Sequence, residues 1–403
     1  MKRTLSFGGR ETGLVLAAIC LIAGTYGLVR LAYGLFLPDI QDSLGLGAAA
    51  AGRISSASSI AYCVAAGLGL LGARRPRALV VGALLTAAVG SLGMALAPDL
   101  AVFVPAAVLS SAGAGFASPG LVAVVERSVE HGRVARAQAV VNSGTGPGLV
   151  AAGALALVLL PEWRVGLAVG ALFTAAAGIA VLLLDRPGPA DVAVRTTAPS
   201  AGPAPWRALR TPAVAAALLG AASAVVWTYG RAQVVAEGAG ATASTVAWMA
   251  LGVGGTATVL TARALGAAGP QRAWLITLAG TAASIVALGL GAGVLPVALV
   301  ACAGFGWGFV AATSALIVWA GQVAPQRAAA ATAVLFVTLV LGQAVGSSVA
   351  GAIADHRGMP TAFVVSAAVA AVGAVCGRRA AGRREVARPA LAAARSGPPP
   401  QEV

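Results

Sequence analysis

The chain reads as an all-α membrane protein of twelve transmembrane helices, arranged as two six-helix bundles with both termini on the cytoplasmic side. Composition, the lengths of the apolar runs and the placement of the arginines predict this. Hydrophobic residues make up 59% of the chain and charged residues 10%, against about 25% charged in a soluble domain. So few charges leave most of the surface to face lipid. The 53 glycines and the alanine runs suit helices that must approach closely without a hydrophobic drive to associate. A GC-rich coding sequence would raise the same residues.

A helix needs about 20 apolar residues to cross a bilayer core, and lipid forces every backbone group to be paired within the segment. Runs at 13–37, 51–71, 78–97, 100–125, 137–160, 164–184, 213–235, 243–262, 273–293, 296–320, 329–353 and 361–377 meet that need. Short breaks such as Ala97-Pro98-Asp99 and Pro161-Glu162-Trp163 mark turns. Lys2, Arg3 and Arg10 precede the first run as they would in a signal peptide. That run continues to Leu37, long enough to span, so it is read as an uncleaved helix.

Basic residues concentrate in cytoplasmic loops. With the N-terminus inside, 22 of the 27 fall in the N-terminal segment (1–12), alternate loops, the central linker (185–212) and the tail (378–403). The outside loops hold Arg164, Arg231 and Arg357, and Arg30 and Arg53 lie in helices. This asymmetry accounts for the net charge of +14 without a nucleic-acid partner. The linker divides the helices into bundles at 13–184 and 213–377. The tail, rich in Arg, Ala and Pro, is expected to be disordered. Cys20, Cys63, Cys302 and Cys376 lie in apolar runs without metal or redox spacing and read as small buried hydrophobes.

Two bundles joined by a cytoplasmic linker are what a carrier needs to rock about a central site. The largest soluble piece is the linker, too short for a sensor domain. The acids and histidines are scattered, which excludes an enzyme. Local motifs extend the likeness. The fifth helix carries Asn142-Ser143-Gly144-Thr145-Gly146-Pro147-Gly148. The 2–3 loop carries Gly72-Ala73-Arg74-Arg75-Pro76-Arg77. Trp163-Arg164 opens the sixth helix, and Pro325-Gln326-Arg327 precedes Gly342-Gln343-Ala344-Val345-Gly346. In these features the chain resembles the major facilitator superfamily over residues 13–377. The 2–3 loop lacks the family's aspartate, and Ser110 stands where many members carry an arginine. The resemblance implies alternating access to a central cavity and a small-molecule substrate. It implies no bound cofactor and no metal. A monomer in the bacterial inner membrane is expected. Gly146 and Pro147, with Arg74, Arg75 and Arg77, are implied as conformational motifs. The glycine-proline motif resembles that of the family's antiporters and favours export of a drug or metabolite.

Arg30 lies in the outer half of the first helix, and an intramembrane charge is functional by default. Tyr26, Arg30 and Tyr33 share one helical face and read as a cationic cradle for an anionic or carbonyl-bearing substrate. Uptake or exchange of a small anion is therefore the alternative to export. The competing role for Arg30 is a brace for helix ends. Further cavity candidates are Gln138 and Asn142 on the fifth helix, Ser223 and Trp227 on the seventh, Trp307 and Ser314 on the tenth, and Gln343 on the eleventh. Relatives line their cavity with the first, seventh and tenth helices. Trp163, Trp206 and Trp319 read as interface anchors. None of the thirteen acids lies mid-helix. A coupling proton therefore has Asp39 as its best candidate, beside a substrate-borne proton or exchange.

Overall fold

The computed structural model describes residues 9–72, 74–185 and 206–376. The first eight residues, most of the linker and the tail lie outside the described residues. Among the described residues twelve helices are long and apolar enough to cross a membrane. They are α1 (Gly9–Leu44), α2 (Ala48–Leu71), α3 (Pro76–Leu96), α4 (Leu100–Ser128), α5 (Arg136–Leu159), α6 (Trp163–Leu184), α7 (Arg207–Ala236), α8 (Ala241–Ala268), α9 (Pro270–Gly291), α10 (Leu295–Val323), α11 (Ala330–Arg357) and α12 (Met359–Cys376). The protein is a multi-pass integral membrane protein, and all its regular elements among the described residues are helical. Gly9, Asp185, Arg207 and Cys376 share one end of the bundle, the linker end. The opposite end is the distal end.

Several helices run past their apolar stretches, among them α1 and α7. α1 continues to Leu44, so Asp39 lies inside a helix, where a cationic partner on α7 compensates it. α7 starts ahead of Pro212, which is tolerated near a helix start because few intrahelical donors are lost there.

Within the first half, the linker end is tied by charge. Asp185, placed by its sequence in the linker, is only 2% exposed. It pairs with Arg127 at the end of α4 and accepts from the Ser128 hydroxyl at 3.3 Å. Arg77 at the start of α3 donates to the carbonyls of Leu182 (3.1 Å) and Asp185 (3.5 Å), closing the last turn of α6. Arg74 and Arg75 of the same basic loop are exposed. Glu11 accepts from Arg133 at 2.7 Å and from the Glu130 N–H at 3.1 Å.

Small residues set the helix spacing. A Cβ on Gly220 of α7 would land on the Leu339 carbonyl of α11, and one on Gly254 of α8 on the Ala303 carbonyl of α10. Trp163 and Trp319, expected at the lipid interface, are buried. The Trp163 indole donates to Ser43 at 3.1 Å, and Trp319 packs edge-on against Trp274. Overpacking a well-filled contact costs roughly 1–3 kcal/mol, so Gly220→Val lowers the apparent Tm of the detergent-solubilised protein. Gly67→Ala, where a Cβ meets nothing within 4 Å, leaves it unchanged or raises it slightly, because alanine favours helix.

Candidate functional site

The first helix is not uniform. Ala23–Arg30 forms a π-helical stretch between two α-helical parts, and the Leu31 N–H reaches the Tyr26 carbonyl at 2.8 Å. These wide turns coincide with Gly24 and Gly27, against which Thr174 of α6 and the backbone of Gly148 in α5 are packed. π-helical turns often mark functional sites. This one ends on Arg30.

The Arg30 guanidinium spans both halves. Its Nε donates to Ser111 Oγ of α4 at 3.2 Å, and one terminal nitrogen donates to Gln343 Oε1 of α11 at 3.2 Å. Its central carbon lies over the Tyr62 ring of α2, 4.7 Å from the centroid. The Tyr62 hydroxyl is 2.9 Å from that of Tyr26, which lies 2.7 Å from Ser118 Oγ. Tyr26, Arg30 and Tyr33 all face α2, Tyr33 by donating to the Ala51 carbonyl at 3.1 Å.

A cavity opens beside Arg30, lined also by Tyr33, Ser55, Ser58, Ser59, Met94, Ser110, Ser111, Trp227, Thr228 and Gln343. Its volume is about 50 Å³. Among the described residues that line it, Arg30 is the one that carries a charge. Its partners are a hydroxyl, an amide and an aromatic face, which solvate the charge without neutralising it. Hydroxyls also bridge the halves there, with Ser55 and Thr228 at 2.9 Å. Trp227 forms one wall, packed edge-on against Trp248, Phe305 and Phe309 with centroids 5.3–6.3 Å away.

Other candidates lie elsewhere. Gln138 donates to Glu126 at 3.4 Å near the linker end, and Asn142 is exposed. Both belong to the short helix Val134–Asn142, which packs on α1 and α4 of its own half. Ser223 is buried, with its hydroxyl on the Gly220 carbonyl at 3.0 Å. The Trp307 indole donates to Thr261 of α8 at 2.8 Å, and its ring lies against Gly280 of α9. Ser314 is exposed and bonds its own helix at Val310. Gln138 and Trp307 thus bond a neighbouring helix, Ser223 and Ser314 a carbonyl of their own, as the apolar surroundings of a membrane helix require of a polar group. The fifth helix breaks at Ser143–Gly144 and resumes at Thr145. Beyond the break Gly146 faces Thr256 and Gly252 of α8, and Pro147 is exposed.

Sequence reasoning passed over the α2 face of the cavity. Ser55, Ser58, Ser59 and Tyr62 recur at i, i+3, i+4 and i+7, a hydroxyl stripe that helical periodicity would have exposed. It counted Arg231 with the outside loops, and also on the face of the seventh helix that carries Ser223 and Trp227. Arg231 lies in α7 and is 2% exposed. It pairs with Asp39 of α1, donates to the Leu35 carbonyl at 2.7 Å and to Ser244 Oγ of α8 at 3.2 Å. Around this clasp the distal ends interlock. Gly34 lies on the Trp227 carbonyl, Gly52 on the Ser347 carbonyl, and the Tyr229 hydroxyl donates to the Ala48 carbonyl at 2.8 Å.

The sequence pattern of the Major Facilitator Superfamily matches residues 19–339. The chain belongs to the major facilitator superfamily. As a member it is a secondary transporter of small molecules and not an enzyme. Solved structures share its fold at low identity. The nucleoside transporter NupG aligns with TM-score 0.74 at 14% identity, covering 93% of this chain and 99% of its own. A bacterial homologue of the human lysosomal transporter Spinster, inward-facing and unoccupied, gives 0.73 at 13%, covering 93% and 98%. A POT family transporter in complex with a thioalcohol-conjugated peptide gives 0.72 at 12%, covering 91% and 94%. No curated protein sequence matches the chain.

Removing one partner of a buried ion pair costs about 3–5 kcal/mol. Asp39→Asn therefore loosens the distal closure, read as faster labelling of a cysteine placed at Ser55 by a reagent applied from the distal side. The exchanged pair Asp39→Arg with Arg231→Asp restores slow labelling. Equal labelling of wild type and Asp39→Asn refutes the clasp.

Proposed function

We propose that this transporter carries a small organic anion, with Arg30 as the group that binds it. The observation behind this reading is that the cavity's single charged lining residue is a guanidinium whose partners are all neutral. A carboxylate, phosphate or sulfonate would supply the missing charge through charge-assisted hydrogen bonds, for which a planar guanidinium is suited. The serines and Thr228 suit a polar body. An anion on Arg30 competes for the donor that Gln343 now accepts, so binding acts on the contact between the halves.

The arginine distribution supports a cytoplasmic linker end. The distal interlock is then the outward-facing contact between the halves. The glycine-proline motif of the fifth helix, which resembles that of the family's antiporters, supports export. Asp39 is engaged by Arg231, so the driving force is assigned to exchange or to a proton carried on the substrate. The broken helix and the aromatic wall at Trp227 support a second reading, export of a neutral or cationic drug-like compound.

Purified protein in liposomes separates the two. Small mono- and dicarboxylates, phosphate esters, and neutral and cationic drugs are offered to wild type, Arg30→Ala, Arg30→Lys and Gln343→Ala. The anion reading expects anion transport that falls about 10- to 100-fold in Arg30→Ala, the factor for losing a charge-assisted hydrogen bond, with partial retention in Arg30→Lys. Drug transport that is indifferent to Arg30→Ala overturns it in favour of the second reading.

A further inference from the structure

We propose that Arg53 and the groove beside it bind an anionic phospholipid of the distal leaflet, the headgroup phosphate on the guanidinium and an acyl chain along the groove. Arg53 is exposed, in line with Ile60, Val64, Leu68 and Leu71, all exposed. The intervals of 7, 4, 4 and 3 residues put the five on one face of α2. The four apolar members mark that face as the one turned to lipid. Neighbouring positions turn elsewhere, Ala51 toward Tyr33 and Gly52 toward Ser347 of α11. Arg53 therefore shares a helix with the cavity serines but points out of the protein.

Its depth matters. α2 begins at Ala48, so Arg53 lies roughly 8 Å along the helix at ~1.5 Å per residue. A long side chain at that depth carries its charge up to the headgroup level. Among the described residues Arg53 makes no hydrogen bond or ion pair. The nearby acid, Asp355, is turned to the Ala49 N–H at 3.4 Å. An uncompensated cation at the edge of the hydrocarbon is costly, and lipid phosphate is the anion available at that level.

The groove selects a lipid over a free ion. Leu46, Ala50, Ile54, Ala57, Leu100 and Val104 line it where α2 meets the start of α4. All six are apolar, so they offer a hydrocarbon chain contact and a free phosphate nothing. The groove also holds no carboxylate for a choline or ethanolamine, which favours a headgroup with net negative charge.

The test uses the full chain in nanodiscs of mixed phosphatidylglycerol and phosphatidylcholine, with retained lipid read by native mass spectrometry. Wild type is expected to keep phosphatidylglycerol about fivefold over its share, the factor for one arginine's attraction to an anionic surface. Arg53→Leu and Arg53→Gln lose that preference, and Arg53→Lys keeps part of it. Ala57→Phe, which fills the groove and spares the charge, lowers retention. Added inorganic phosphate does not displace the lipid. Equal retention in wild type and both neutral variants overturns the proposal, as does displacement by phosphate alone or equal retention of the two lipids by wild type. These readouts involve no substrate, so they stand apart from the assignment of Arg30.

Discussion

Two guanidiniums lie on the seam between the halves, and the difference in how they are satisfied organises the molecule. Lipid tails offer an arginine nothing, so each of these two, set among the helices, must find its partners inside. Arg231 finds a carboxylate, Asp39, a backbone carbonyl and a serine. It is buried and its charge is matched. Arg30 finds a serine, an amide and the face of a tyrosine, which leaves its charge unmatched. The first arrangement holds the distal end shut; the second leaves an electrostatic demand in the middle of the protein. Charge is thus committed to closure at one level and left open to a ligand at the next.

Close packing makes both arrangements stable. Lipid tails compete with side chains on equal terms, so helix contact depends on backbones approaching until polar and dispersion contacts are made. Gly34, Gly52 and Gly27 permit this where α1 and α2 meet α7, α11 and α5. Without those approaches the Tyr229 hydroxyl would not reach the Ala48 carbonyl, nor Arg231 the Leu35 carbonyl.

Helix number and order were legible because length and apolarity dominate in a membrane protein. The ends of α1 and α7 were less so, since Asp39 and Pro212 end an apolar run without ending a helix. Of the site, Tyr26, Arg30, Tyr33, Trp227 and Gln343 were visible as polar or aromatic groups at membrane depth. Gln138, Asn142, Ser223, Trp307 and Ser314 looked the same by that criterion, and the structure commits them to helix backbones, neighbouring helices or the protein surface. Apolarity reports depth but not direction, and a polar residue at depth is as often a tie between helices. Arg231 was misread for a related reason. Its partner lies 192 residues away, and only the fold brings the two charges together.

The positions of the two guanidiniums also constrain the order of events in a transport cycle. The clasp at Arg231 joins α1 to α7, and Arg30 joins α1 to α11, so both act through the same helix. Between them the backbone of α1 passes from π-helical to α-helical turns at Leu31. π-helical turns are wider and more weakly bonded than α-helical ones, so this junction is where α1 can turn at least cost. On the proposed reading, an anion that draws Arg30 away from Gln343 would act on the stretch Ala23–Arg30. Movement that passes this junction would reach Leu35 and Asp39, one to two helical turns beyond Leu31, whose carbonyl and carboxylate hold Arg231. Cavity and distal clasp thus share one helix, the shortest physical route between them.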